Sequence, residues 1–153
     1  MIQRIQTLYL VITVALLILI GFFPYAEVLV GNGIIYSFKT YGIYLTEQNN
    51  ELISATYPLF ILIIITILLI LTAIFLFKKR LLQLRLCLIS IILQFGIYGL
   101  GFFYLYKLSS EYDTTMHFAF PIIIPVISAI LIFLAMRSIK KDELLIRSLD
   151  RLR

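Results

Sequence analysis

The chain has 153 residues, 62% of them hydrophobic and 14% charged, with a formal net charge of +5 and a mean hydropathy of +1.06. Soluble domains are nearer half apolar and a quarter charged, and so short a chain cannot enclose this apolar surplus in a core of its own. An ordinary soluble enzyme is excluded, and a single integral membrane domain spanning 1–153 is expected.

Four apolar stretches, 7–23, 58–77, 86–106 and 118–136, are each close to the ~20 residues that cross ~30 Å of hydrocarbon. Lipid offers no partner to a bare backbone, so each stretch must bond within itself. The expected fold class is an all-α integral membrane protein, with four transmembrane helices in an antiparallel bundle. Nothing alternates as the strands of a barrel do.

At the N-terminus Arg4 precedes the first apolar run, as in a signal peptide. The run is longer than a usual signal core, and no small-x-small site follows at Gly21-Phe22-Phe23-Pro24-Tyr25. An uncleaved first helix is expected. The outer loop, 24–57, then joins Glu27–Val30 to Ile34–Thr40 through Gly31-Asn32-Gly33, a short extracytoplasmic β-hairpin by its turn chemistry. Ile34, Tyr36 and Phe38 would share one face and Ile35, Ser37 and Lys39 the other. Because an isolated hairpin is marginal in water, it should rest on the helix ends, the membrane surface or a partner. The polar run 46–51 reads as a solvated loop.

The second connection, 78–85, is short, which makes helices two and three antiparallel neighbours. Helix three holds Gly96, Gly99 and Gly101, small residues suited to helix packing within the bundle. Gln94 and Ser90 lie a turn apart, placed to face the interior and bond across helices. Cys87 is the single cysteine, which excludes an internal disulfide, and it reads as a small packing residue. Helix four starts with Pro121 and Pro125; Pro121 suits a first turn, and Pro125 is expected to bend the helix. Residues 137–153 form a cytoplasmic helical extension with Leu145, Leu149 and Leu152 as an apolar stripe and Glu143, Arg147 and Arg151 on a charged face.

Charge distribution sets the orientation. With both termini and the second loop cytoplasmic, eleven Lys/Arg and three acids fall inside, and two Lys and five acids outside. The basic balance is therefore a topology signal and not a nucleic-acid footprint; the inner clusters also favour anionic lipid headgroups. Eight of the ten tyrosines, Tyr25, Tyr36, Tyr41, Tyr44, Tyr57, Tyr104, Tyr106 and Tyr112, fall at or beyond the outer boundary as an aromatic belt. The expected location is a bacterial inner membrane.

No Asp, Glu, Lys, Arg or His lies inside the four apolar runs, which argues against proton relays and coupled transport. His117, with Glu111 and Asp113 nearby in sequence, is a weak metal constellation and reads as an interfacial residue. There is no glycine-rich phosphate loop, and no nucleophile has a base at a suitable spacing. No catalytic, cofactor-binding or metal residue is nominated, and no cofactor is expected.

Three segments carry a resemblance. The opening 1–10 (MIQRIQTLYL), the connector 79–87 (KRLLQLRLC) and the ending 139–153 (IKKDELLIRSLDRLR) resemble the bacterial membrane family catalogued as domain of unknown function 4293. The resemblance runs over the whole chain, with the two terminal motifs as its specific part. It implies a four-helix inner-membrane protein with no assigned activity.

All three motifs map to the cytoplasmic face, so the candidate interaction face is Gln3, Arg4, Gln6, Gln83, Arg85, Asp142, Glu143, Arg147, Asp150 and Arg151. Ion pairs from Arg4 and Arg85 to Asp142 and Glu143 are expected to tie helix one, the connector and helix four together. The leading functional expectation is a non-enzymatic accessory or scaffold subunit of a membrane assembly, with a membrane-protein partner or a second copy. The alternative is a protein that binds or moves a lipid, quinone or hydrophobic solute, using a groove beside the helix-three glycines and Pro125.

Overall fold

The computed structural model describes residues 3–30, 35–46, 51–77, 79–111 and 114–150. Among them the elements run α1 (Gln3–Ile20), β1 (Ala26–Val30), β2 (Ile35–Lys39), β3 (Gly42–Leu45), β4 (Glu51–Ala55), α2 (Tyr57–Phe75), α3 (Arg80–Glu111), β5 (Thr114–Phe118), a 3-10 turn (Phe120–Ile123) and α4 (Ile124–Asp150). The protein is mostly helical, with a small sheet.

Three segments are long and apolar enough to cross a membrane: Tyr57–Phe75, Arg80–Ser109 and Phe120–Leu145. The apolar part of α1, Ile5–Ile20, is shorter. α1 packs on α4 and α2, and α3 packs on α2 and α4, so the four helices close around a common interior.

Each helix turns one stripe inward at three- and four-residue spacing. On α1 it is Gln6, Leu10, Thr13, Val14, Leu17 and Ile20; on α2, Leu59, Ile63, Thr66, Ile70 and Ala73; on α3, Gln83, Cys87, Ser90, Gln94 and Ile97; on α4, Ile124, Ser128, Ile132, Ala135, Ile139 and Asp142. Thr13, Thr66, Ser90, Gln94 and Ser128, polar members of the apolar runs, are thus inside, while Leu68, Ile92, Phe95, Ile130 and Phe133 point outward. A protein apolar outside and partly polar within is arranged for a lipid solvent.

α3 is 32 residues long, about 48 Å at 1.5 Å per residue and well beyond ~30 Å of hydrocarbon. Near its far end it meets the sheet, where the Phe38 and Tyr104 rings lie 6.4 Å apart. α4 runs without a break from Ile124 to Asp150, so the basic tail continues the fourth helix.

The expected hairpin is two strands of something larger. β1 and β2 pair antiparallel in the register Ala26↔Phe38 to Leu29↔Ile35, and they sit in a five-stranded sheet of order β4-β3-β2-β1-β5. The turn 31–34 lies outside the described residues. Glu51, expected in a loop, opens β4, and β5 comes from the link between α3 and α4. β2 does not show one wet face, because Tyr36, Ser37 and Phe38 are all buried.

Backbone bonds fasten this sheet to the helices. Tyr25 N–H donates to Phe38 O at 2.7 Å, and Ala119 N–H donates to Tyr25 O at 3.0 Å. The Thr40 hydroxyl donates to Ile20 O, the last turn of α1, at 3.2 Å. Tyr25 and Tyr36 are accordingly core residues and not members of a surface belt, whereas Tyr41, Tyr57 and Tyr106 are exposed. Gly42 lets β4 approach closely: a Cβ there would stand 2.4 Å from Leu52 Cδ1 and 3.2 Å from Ser54 O.

Helix four begins later than its hydropathy suggests. Residues 114–118 are strand, and Pro121 sits in the 3-10 turn. Pro125 is the second residue of α4. A first-turn proline gives up an N–H that has no helical partner in any case, so Pro125 starts the helix and does not bend an established one.

Candidate functional site

At the end of the helices opposite the sheet, the start of α1, the start of α3 and the end of α4 converge. Gln6, Gln83 and Asp142 are 6%, 3% and 8% exposed. They occupy the inward stripes, one turn from Leu10, Cys87 and Ile139. These three members of the expected interaction face are therefore internal junction residues. Their spacing to the neighbouring apolar positions was the sequence signal for that burial.

Gln6 Nε2 donates to Asp142 Oδ2 across α1 and α4. The Arg80 guanidinium donates to the Asp142 main-chain carbonyl at 3.1 Å and brings in α3. Asp142 Oδ1 is buried with no partner among the described residues. The expected tie thus forms through different groups: an amide meets the carboxylate, and Arg80 instead of Arg85 reaches the helix backbone. Arg85 is exposed, and Glu143 is half-buried. The side chains of Gln3, Arg4, Arg147 and Asp150, and all of Arg151, lie outside the described residues.

A second feature lies between α3 and α4. Ile91, Gln94, Phe95 and Tyr98 form one wall, and Pro125, Val126, Ala129, Ile130 and Phe133 the other, around about 320 Å³. Phe95, Val126, Ile130 and Phe133 are exposed at its mouth. Gln94 lies on its inner side, 1% exposed, and neither its Nε2 nor its Oε1 has a hydrogen-bond partner among the described residues. The Ser90 hydroxyl donates to Leu86 O of its own helix at 2.9 Å, so the expected bonds across helices do not form at this pair. Tyr98 donates its hydroxyl proton to Ile122 O and holds α3 to the start of α4.

The glycines of α3 behave differently from one another. A Cβ at Gly96 would stand 3.3 Å from Leu62 Cδ2, a close approach to α2, whereas at Gly99 and Gly101 it would meet nothing within 4 Å. Gly101 borders a cavity of about 20 Å³ with Tyr25, Phe38 and Leu105. Only Gly96 makes the tight helix contact expected of the three.

Among the described residues there is no group of three His, Cys, Asp or Glu able to hold a metal. His117 lies in β5 opposite Glu27 of β1, on an exposed part of the sheet. What the geometry offers is a polar clasp at one end, a sheet at the other, and an uncharged groove between them.

No curated protein matches the chain. A family profile described as Domain of unknown function (DUF4293) matches residues 2–152, nearly the whole sequence, and the chain belongs to that family.

Proposed function

We propose that the protein is a non-enzymatic accessory subunit of a bacterial inner-membrane assembly. In this reading all four helices span the bilayer as an antiparallel bundle, α1 with a short hydrophobic length, and both termini are cytoplasmic. The charge asymmetry supports that orientation, since Lys79, Arg80, Arg85, Arg137, Lys140 and Lys141 all lie at the end opposite the sheet.

The observation that carries the reading is the free edge of β4. Among the described residues this strand ends the sheet, and Leu52 and Ile53, at a bulge where Tyr44 pairs with Leu52 and Ile43 with Ser54, are 50% and 51% exposed, so two apolar side chains stand out on that edge. Edges of this kind are normally blunted by charge, proline, a bulge or a covering element; here the bulge at Ile53 twists the strand but leaves its two apolar side chains uncovered. The occupant that fits is an extracytoplasmic strand of a partner membrane protein, added edge to edge. The junction at the other end, being internal, holds the helices in register so that the sheet is presented rigidly.

A photo-reactive residue at Leu52, in the full chain in its native membrane, tests this. One crosslinked partner of defined mass is expected, lost in Ile53→Lys. Crosslinking to lipid alone would overturn the reading.

A further inference from the structure

The groove between α3 and α4 offers an occupant almost nothing polar. Gln94 belongs to its inner wall, but both amide atoms are buried, and the Tyr98 hydroxyl is committed to Ile122 O. Whatever fills the groove meets hydrocarbon and aromatic rings. Phe95, Val126, Ile130 and Phe133 stand exposed at the mouth, so the groove opens sideways, onto the surface that faces acyl chains when α3 and α4 span a bilayer.

The face that frames this mouth does not end at the groove. On α4, Val126, Ile130, Phe133, Arg137 and Lys140 follow one another at three- and four-residue spacing, and all five are exposed, which puts them on one stripe of the helix. The stripe changes from apolar to cationic between Phe133 and Arg137, with Lys141 exposed beside it. Of the two acids that follow, Asp142 is buried and bonded to Gln6, and Glu143 is half-buried. The outward charge at this end of the stripe is therefore positive, and it favours an anion.

The separation of the two halves matches a phospholipid. Ile130 and Lys140 are ten residues apart, about 15 Å along a helix that rises ~1.5 Å per residue. That is half of the ~30 Å hydrocarbon thickness. A phosphate at Arg137 and Lys140 thus lies at the interface while a chain attached to it reaches the groove at mid-depth. The cations call for an anionic headgroup, the groove for a chain, and one molecule supplies both at this spacing.

We propose that α3 and α4 bind one anionic phospholipid of the leaflet on the side away from the sheet, its phosphate on Arg137 and Lys140 and one acyl chain in the groove beside Phe95 and Ala129. This rests on the reading that the helices span the bilayer, and it is independent of the β4 edge.

The test uses the full chain in phosphatidylcholine nanodiscs doped with a phosphatidylglycerol that carries a diazirine near the end of one chain, and in parallel with a phosphatidylcholine bearing the same chain. Crosslinks mapped by mass spectrometry are expected to concentrate at Phe95, Ala129 and Ile130 relative to Leu68, which is exposed on α2. At those sites the phosphatidylglycerol probe should give at least threefold the yield of the phosphatidylcholine probe. Ala129→Phe, which fills the groove, should lower the yield at Phe95 to that at Leu68. Arg137→Gln with Lys140→Gln should erase the preference for phosphatidylglycerol. Helical content and monodispersity of each variant report folding separately. An even distribution over the outer helix faces, equal yields from the two probes, or a pattern unchanged by these variants would overturn the proposal. Crosslinks missing from Leu68 as well would overturn the membrane-spanning reading beneath it.

Discussion

The amide of Gln6 and the carboxylate of Asp142 are hydrogen-bonded across 136 positions of sequence, and both are buried where the first and fourth helices meet. This bond closes the helix ring at the end opposite the sheet.

Its removal from one side should be worse than its removal from both. Gln6→Leu leaves a buried carboxylate without its donor and should cost about 1–3 kcal/mol, whereas Gln6→Leu with Asp142→Leu should recover most of that loss. Thermal midpoints of the four proteins in one mild detergent give the cycle. Strictly additive shifts would show that the two side chains do not act together.

Two arginines in the connector should separate. Arg80 donates to the Asp142 carbonyl, so Arg80→Ala should lower the thermal midpoint. Arg85 is exposed, and Arg85→Glu should leave that midpoint unchanged. An Arg85→Glu protein that fails to fold, yet is restored by a second charge reversal at Glu143, would favour the ion-pair tie that the sequence suggests.

Glycine replacements on α3 should divide in the same manner. Gly99→Ala and Gly101→Ala meet open space and should each stabilise the helix by about 0.5–1 kcal/mol, through lower backbone freedom in the unfolded chain. Gly96→Ala presses on Leu62 and should gain nothing or lose stability. Midpoints of the three single variants are a sufficient readout.

Alkaline pH should act through Tyr25. Burial pushes its phenol well above the ordinary 10.0, against a smaller lowering by the Thr40 hydroxyl. The folded state therefore keeps a proton that the unfolded chain gives up near pH 10. This contribution to stability is intact below pH 10 and is lost as the pH rises further toward the folded value. In a difference curve against wild type, Tyr25→Phe should show a shallower decline above pH 10. Parallel curves would remove the assignment.

The helices were legible because lipid demands them: a run of about twenty apolar residues has few other solutions. Their ends were not. Hydropathy marks the hydrocarbon and not the helix, so α3 continues through Gln83 and Arg85 at one end and Lys107 at the other. β5 was hidden for a different reason. Its residues pair with β1, more than 80 positions earlier, from Ala26↔Phe118 to Val30↔Thr114. Such a pairing leaves no local periodicity to read, and Phe118 merges into the apolar sequence of α4. The burial of Gln6, Gln83 and Asp142 was readable in principle, since each continues an apolar stripe by one turn. Their polarity suggested an outward surface instead. The unpartnered state of Gln94 was not readable, because it depends on how far α3 and α4 stand apart.

Pairing between β1 and β5 also imposes an order of events. β1 follows the first helix and β5 follows the third, so the two strands can meet only when α2 and α3 have both been made and have packed. A chain halted after α2 would present β1 as an open edge, with Val28 and Leu29 uncovered by any neighbour on that side. The last-arriving strand thus closes that side of β1, and the sheet is complete only when three of the four helices are in place.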